Sequence, residues 1–113
     1  MPLKTSTKKT KNITRTADYH EWLINSLRSN PKEAEMYLQA AFEEYQTDNN
    51  TEALLLAMRN VAEARGGISK LSKQTKLNRE SLYKTLSARG NPKLQTFGVL
   101  LNALGFRLSI QAC

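Results

Sequence analysis

The run GGISKLSKQTKLNRESLYKTLSARGNPKLQTF, residues 66–97, leaves this chain few ways to fold. Gly66-Gly67 opens it and Gly90-Asn91-Pro92 interrupts it, and both are strong breakers of regular structure. Between such breaks only short helices fit, and the apolar residues Ile68, Leu71, Leu77, Leu82 and Leu86 supply their inner framework. Leu82 and Leu86 lie one helical turn apart and so anchor the second segment to a core. The spacing predicts helices over 68–75, 79–87 and 93–104, the first two joined by three or four residues. Asn78 stands where an N-cap belongs, and Arg79, Glu80, Tyr83 and Lys84 fall on the face turned away from the core. A close pair of short helices, the second polar and basic, is the arrangement that reads a major groove.

Upstream the pattern is also helical. Tyr19, Trp22, Leu23 and Leu27 recur at three- and four-residue spacing in a helix expected from Ala17. Asn30 is placed to cap the next helix, Pro31 suits its first turn, and Glu33 and Glu35 complement its dipole. That helix carries Ala34, Leu38, Ala41, Phe42 and Tyr45 on one stripe and fades at 47–50. A third begins near Thr51 and runs through Leu54, Leu55, Met58, Val61 and Ala62 to the glycine pair. At the other end, Phe106, Leu108 and Ile110 alternate with Arg107, Ser109 and Gln111, the period of a short strand. A lone strand needs a partner for its backbone, and the simplest one is its own copy in a homodimer. The expected fold is therefore all-α, about six helices with a short C-terminal β-strand, compact from residue 16.

Charge divides the 113 residues, net +7, into three parts. Residues 1–15 hold Lys4, Lys8, Lys9, Lys11 and Arg15 with no acid and too little apolar surface to order, which reads as a flexible basic tail. Residues 16–50, the first two helices, are acidic. Residues 51–113 form the unit with the helix pair, and from residue 59 on ten basic side chains face only Glu63 and Glu80. A basic block of this kind is either the footprint of a polyanion-binding surface, most often nucleic acid, or simply a solvated face. The acidic middle implies a second surface with a different partner.

Much is excluded. No stretch approaches the roughly 20 apolar residues of a membrane span, and the basic start lacks the apolar region of a secretory signal, so a cytoplasmic protein is expected. One cysteine, Cys113, and one histidine, His20, allow neither a disulfide framework nor a cysteine-ligated metal site. There is no glycine-rich phosphate loop and no plausible catalytic set. Neither enzymatic activity, a metal nor a cofactor is expected.

Residues 51–104 resemble the lambda-repressor-like, or Xre-type, helix-turn-helix domain. The run LNRESLYKTLSARGNPKLQTFGVLLNALGFRLSI is similar to the addiction-module antidote proteins, HigA-like antitoxins, and the similarity extends more weakly from about residue 16. The resemblance implies an antitoxin that represses its own operon and neutralises a small ribonuclease toxin of the RelE/HigB type. An Xre-type repressor without a toxin is the alternative. By position, Asn78, Arg79, Glu80, Tyr83 and Lys84 match the exposed face of the recognition helix. Lys70, Lys73 and Gln74 match the preceding helix across the DNA backbone, and Asn91 and Lys93 match the following loop and helix start, where phosphates sit. Two departures stand out: Ser72 occupies a position often held by Ala, and Lys76 one often held by Gly. Lys76 must then take a left-handed conformation, at a cost of about 1 kcal/mol.

Each of these residues has a plainer role beside the functional one. Arg79 either pairs bidentately with a guanine or lies in solvent, and Lys84 behaves as a point charge suited to phosphate. Glu80 either accepts from a cytosine amine or only favours its helix N-terminus. Tyr83 either meets DNA or packs on Arg79. Trp22, Tyr37, Phe42 and Tyr45 read first as core. The alternative is an apolar surface rimmed by Glu33, Glu43 and Glu44 that docks a basic protein.

Overall fold

Asn30-Pro31, Asp48 to Asn50 and Gly66-Gly67 divide the first half of the chain into three helices. The computed structural model describes the backbone of residues 12–112 and the side chains of residues 17–112. The elements are α1 (Asn12–Ser29), α2 (Pro31–Asp48), α3 (Thr51–Ala64), α4 (Gly67–Thr75), α5 (Arg79–Thr85) and α6 (Leu94–Ala103). The expected basic tail lies outside the described residues up to position 11, as does Cys113. Helix α1 begins at Asn12, earlier than the Ala17 that the apolar spacing suggested.

The helix boundaries follow from local chemistry. Asn30 takes an extended conformation and its side chain accepts from the Lys32 N–H, with Pro31 following as the first helical residue. Asn49 closes α2 in the left-handed region, and the Asn50 side chain then accepts from the Ala53 N–H to start α3. Gly66 and Gly67 both have positive φ, 111° and 87°, which turns the chain sharply from α3 into α4.

Helix α3 is the centre of the packing. Leu54, Leu55, Ala57, Met58, Asn60, Val61, Ala62 and Ala64 are all buried along it. Helices α1 and α2 pack against it and against each other, and α4 packs against it and carries α5 and α6. One continuous core results, joining Ile24, Leu27 and Leu38 to Leu71, Leu82, Leu86, Leu100 and Leu104. Truncation of a central side chain such as Met58, which is fully buried, to alanine removes about 2–5 kcal/mol. No helix among the described residues is long and apolar enough to cross a membrane.

Two expectations require correction. The C-terminal β-strand is not present: among the described residues all six elements are helices. Gly105 (φ 95°) turns the chain out of α6, and the Phe106 N–H bonds the Leu101 carbonyl at 2.9 Å. After Phe106 no backbone hydrogen bond joins the segment to the rest of the described chain, so alternation alone makes no strand. The second concerns Trp22, which is 59% exposed and not core, as is Tyr19 at 60%. The inner stripe of α1 is Leu23, Ile24 and Leu27, the first partly buried and the other two fully so. It lies one residue round the helix from the Tyr19, Trp22, Ser26 stripe, a rotation of about 100°.

Candidate functional site

Helices α4 and α5 are joined by only Lys76, Leu77 and Asn78. Lys76 is left-handed, as expected, at φ 63° and ψ 20°, and its N–H bonds the Ser72 carbonyl at 2.7 Å. Ser72 contributes more: its hydroxyl donates to the Leu77 carbonyl at 2.6 Å. Thr75 completes the turn, its hydroxyl donating to the Leu71 carbonyl and accepting from the Leu77 N–H. Asn78 then caps α5, accepting from the Glu80 and Ser81 N–H groups at 2.7 and 3.3 Å. The turn is thus held by side chains on both sides of Lys76, and the direction of α5 relative to α4 is fixed.

On this frame Leu71, Leu82 and Leu86 point inward and are buried. Lys70, Lys73 and Gln74 are exposed on one face of α4, at i, i+3 and i+4. Asn78, Arg79, Glu80, Tyr83 and Lys84 are exposed on α5 and its cap, and Asn91 and Lys93 are exposed before α6. Every residue singled out from the sequence is therefore accessible. Arg79, Lys84, Lys70 and Lys73 make no ion pair among the described residues; the two pairs present are His20–Glu63 and Lys32–Glu35.

Two features of this face were not read from the sequence. The Tyr83 ring is 44% exposed and lies 5.9 Å beneath the guanidinium of Arg59, on α3. Arg59 thereby joins the basic face from a third helix, tied to the middle of α5 by a cation–π contact. The second is Gly90. A Cβ placed there would stand 2.0 Å from the Thr85 carbonyl oxygen and 3.0 Å from that of Lys84. Only glycine lets the loop bearing Asn91 and Lys93 press against the end of α5, where the Gly90 N–H bonds the Ser87 carbonyl at 2.9 Å. A glycine beside Asn-Pro signals a turn, but its need for close approach emerges only from the fold.

Chemically the face offers cations from α3, α4, α5 and the α5–α6 loop, a planar guanidinium and side-chain amides at one end of α5, and a single carboxylate. A repeated polyanion suits such a surface.

The sequence model of a family described as "Probable addiction module antidote protein" matches residues 21–112. An uncharacterized protein of Haemophilus influenzae is 32% identical over 80 residues, which span 71% of this chain and 77% of that protein. No solved structure gives a significant match.

Proposed function

Since the chain belongs to the addiction-module antidote family, we propose that it is the antitoxin of a type II toxin–antitoxin pair. It binds DNA in a sequence-specific manner, represses its own operon and neutralises a small basic ribonuclease toxin of the RelE/HigB type. The family match over residues 21–112 carries the antitoxin reading. Within that reading the protein is HigA-like, and α4 with α5 acts as an Xre-type, lambda-repressor-like helix-turn-helix.

The DNA role draws its support from the exposed cationic face, where α5 is the reading helix. Arg79 contacts a guanine edge, and Asn78 and Tyr83 lie beside it. Lys84, Lys70, Lys73, Gln74, Asn91 and Lys93 meet phosphates on either side, and Glu80 serves mainly to favour the start of α5. Binding then weakens steeply with salt as counterions are released.

The protein acts as a homodimer on an inverted repeat, with two copies of α5 in successive major grooves about 34 Å apart. Support for the dimer comes from the surface formed by α6 and the C-terminal segment. There Leu94 is 77%, Val99 41%, Leu108 49% and Ile110 99% exposed, beside backbone groups with no backbone hydrogen bond among the described residues. Ile110→Asp is expected to yield monomers in analytical ultracentrifugation and to reduce operator affinity. No catalysis is assigned to the chain, and its place of action is the cytoplasm, with its operon.

Growth rescue tests the central claim. Expression of the product of the adjacent gene alone should arrest growth, and co-expression of this chain should restore it. The second reading, an Xre-type repressor with no toxin, is favoured by the basic face alone. It predicts operator binding with no rescue.

A further inference from the structure

Resting on that antitoxin reading, we propose that the toxin docks in a groove between α1 and α2, whose lining shares no residue with the basic face. The groove has a volume of about 310 Å³ and is walled by Tyr19, Trp22 and Met36, with Tyr37 in its floor and Glu33 on its rim. Tyr19 and Trp22 pack at 5.7 Å between ring centroids and stay more than half exposed, as does Met36 at 57%. Two large aromatics and a methionine left in solvent on adjacent helices form an apolar patch that single scattered exposures do not explain. Tryptophan and tyrosine anchor most protein interfaces, and methionine adapts its shape to what it meets.

The charge around the patch identifies the occupant. Helices α1 and α2 carry Asp18, Glu21, Glu33, Glu43, Glu44 and Asp48, none of which makes an ion pair among the described residues. Only Glu35 is paired, with Lys32 at 3.6 Å. Exposed rings with Glu33 beside them, on two helices that carry these further free carboxylates, fit a protein segment that presents arginine or lysine: a cation lies over Trp22 and Tyr19 while a neighbour meets Glu33. The same carboxylates repel DNA phosphate. A basic toxin on α1–α2 and DNA on α4–α5 would therefore use different helices of the fold.

Trp22 is the one tryptophan in the sequence, so 5-fluorotryptophan gives this chain a single ¹⁹F resonance at the proposed site. The probe is the purified adjacent-gene product, catalytically disabled and unlabelled. Its addition should shift that resonance. By calorimetry Trp22→Ala should weaken its affinity about thirtyfold, and Glu33→Lys about tenfold with a reduced salt dependence. Both positions are exposed, so operator affinity should stay at the wild-type value; melting temperature should be unchanged in Trp22→Ala and slightly lowered in Glu33→Lys, which reverses a favourable first-turn charge. Val99→Ala on α6 should leave toxin affinity unchanged.

Binding by the wild type with an unmoved resonance, or with Trp22→Ala within twofold, overturns the groove and leaves the antitoxin reading intact. No binding by the wild type overturns both. If deletion of residues 1–11 moves the resonance while the toxin does not, the chain's own basic start fills the groove and the proposal falls.

Discussion

The side-chain amide of Asn60 donates to the Tyr37 hydroxyl at 2.9 Å, joining the buried middle of α3 to the floor of the α1–α2 groove. Asn60 is 6% exposed, the only polar residue in the buried set among the described residues, and Tyr37 answers its need for a partner. Tyr37→Phe leaves the amide in the core without that partner and should cost about 1–3 kcal/mol in urea denaturation. Replacing both residues, as Asn60→Leu with Tyr37→Phe, should recover much of that loss.

Lys76→Gly should stabilise the protein. The left-handed backbone at φ 63° costs a β-carbon-bearing residue roughly 1 kcal/mol, partly offset by the greater freedom of glycine when unfolded. A net gain of about 0.5 kcal/mol is expected from chemical denaturation. Ser72→Ala should act in the opposite direction by about 1 kcal/mol, because the hydroxyl bond to the Leu77 carbonyl is lost.

Gly90→Ala should be poorly tolerated. The added carbon meets backbone atoms of Thr85, not a flexible side chain, so the loop must move. A loss of about 1–3 kcal/mol is expected in thermal unfolding. At temperatures where the variant is still folded, phosphate contacts from Asn91 and Lys93 should weaken, reducing DNA affinity more than sequence preference.

Arg79→Ala and Arg59→Ala should separate reading from attraction. Loss of a bidentate guanine contact should lower the ratio of operator to scrambled-DNA affinity about tenfold or more. Loss of Arg59, which faces Tyr83 from α3, should weaken both DNAs alike and lower the slope of affinity against salt by about one. Fluorescence anisotropy titrations on the two DNAs across a salt series would test both. An unchanged ratio in Arg79→Ala would remove that residue from base reading.

The parts of this fold visible in the sequence are those governed by short-range chemistry. Asn30-Pro31, Gly66-Gly67 and the Asn78 cap act within a few residues of themselves, and the helices begin and end where they indicate. The left-handed conformation of Lys76 was likewise foreseeable, because the resemblance implies it at a position often held by Gly. What the sequence concealed depends on elements meeting. The apolar stripe of α1 offered two neighbouring faces, and packing buried Ile24 and Leu27 with part of Leu23, leaving Trp22 outside. Period-two alternation in 106–111 describes side chains only, whereas a strand needs a neighbouring backbone. Arg59 and Tyr83 stand 24 positions apart, and nothing local connects them. All the residues picked for the candidate site lie on accessible surface, but Arg59 and the steric role of Gly90 required the packed chain.

The burial of α3 among α1, α2 and α4 sets a common clock. The acidic groove and the basic face have no separate cores to fall back on, since each is held against the same fourteen-residue helix. Opening that helix exposes its leucines and disperses both surfaces in one cooperative event. Neither face can keep its shape longer than α3 stays folded, so the opening of that one helix sets the upper limit on how long either surface persists.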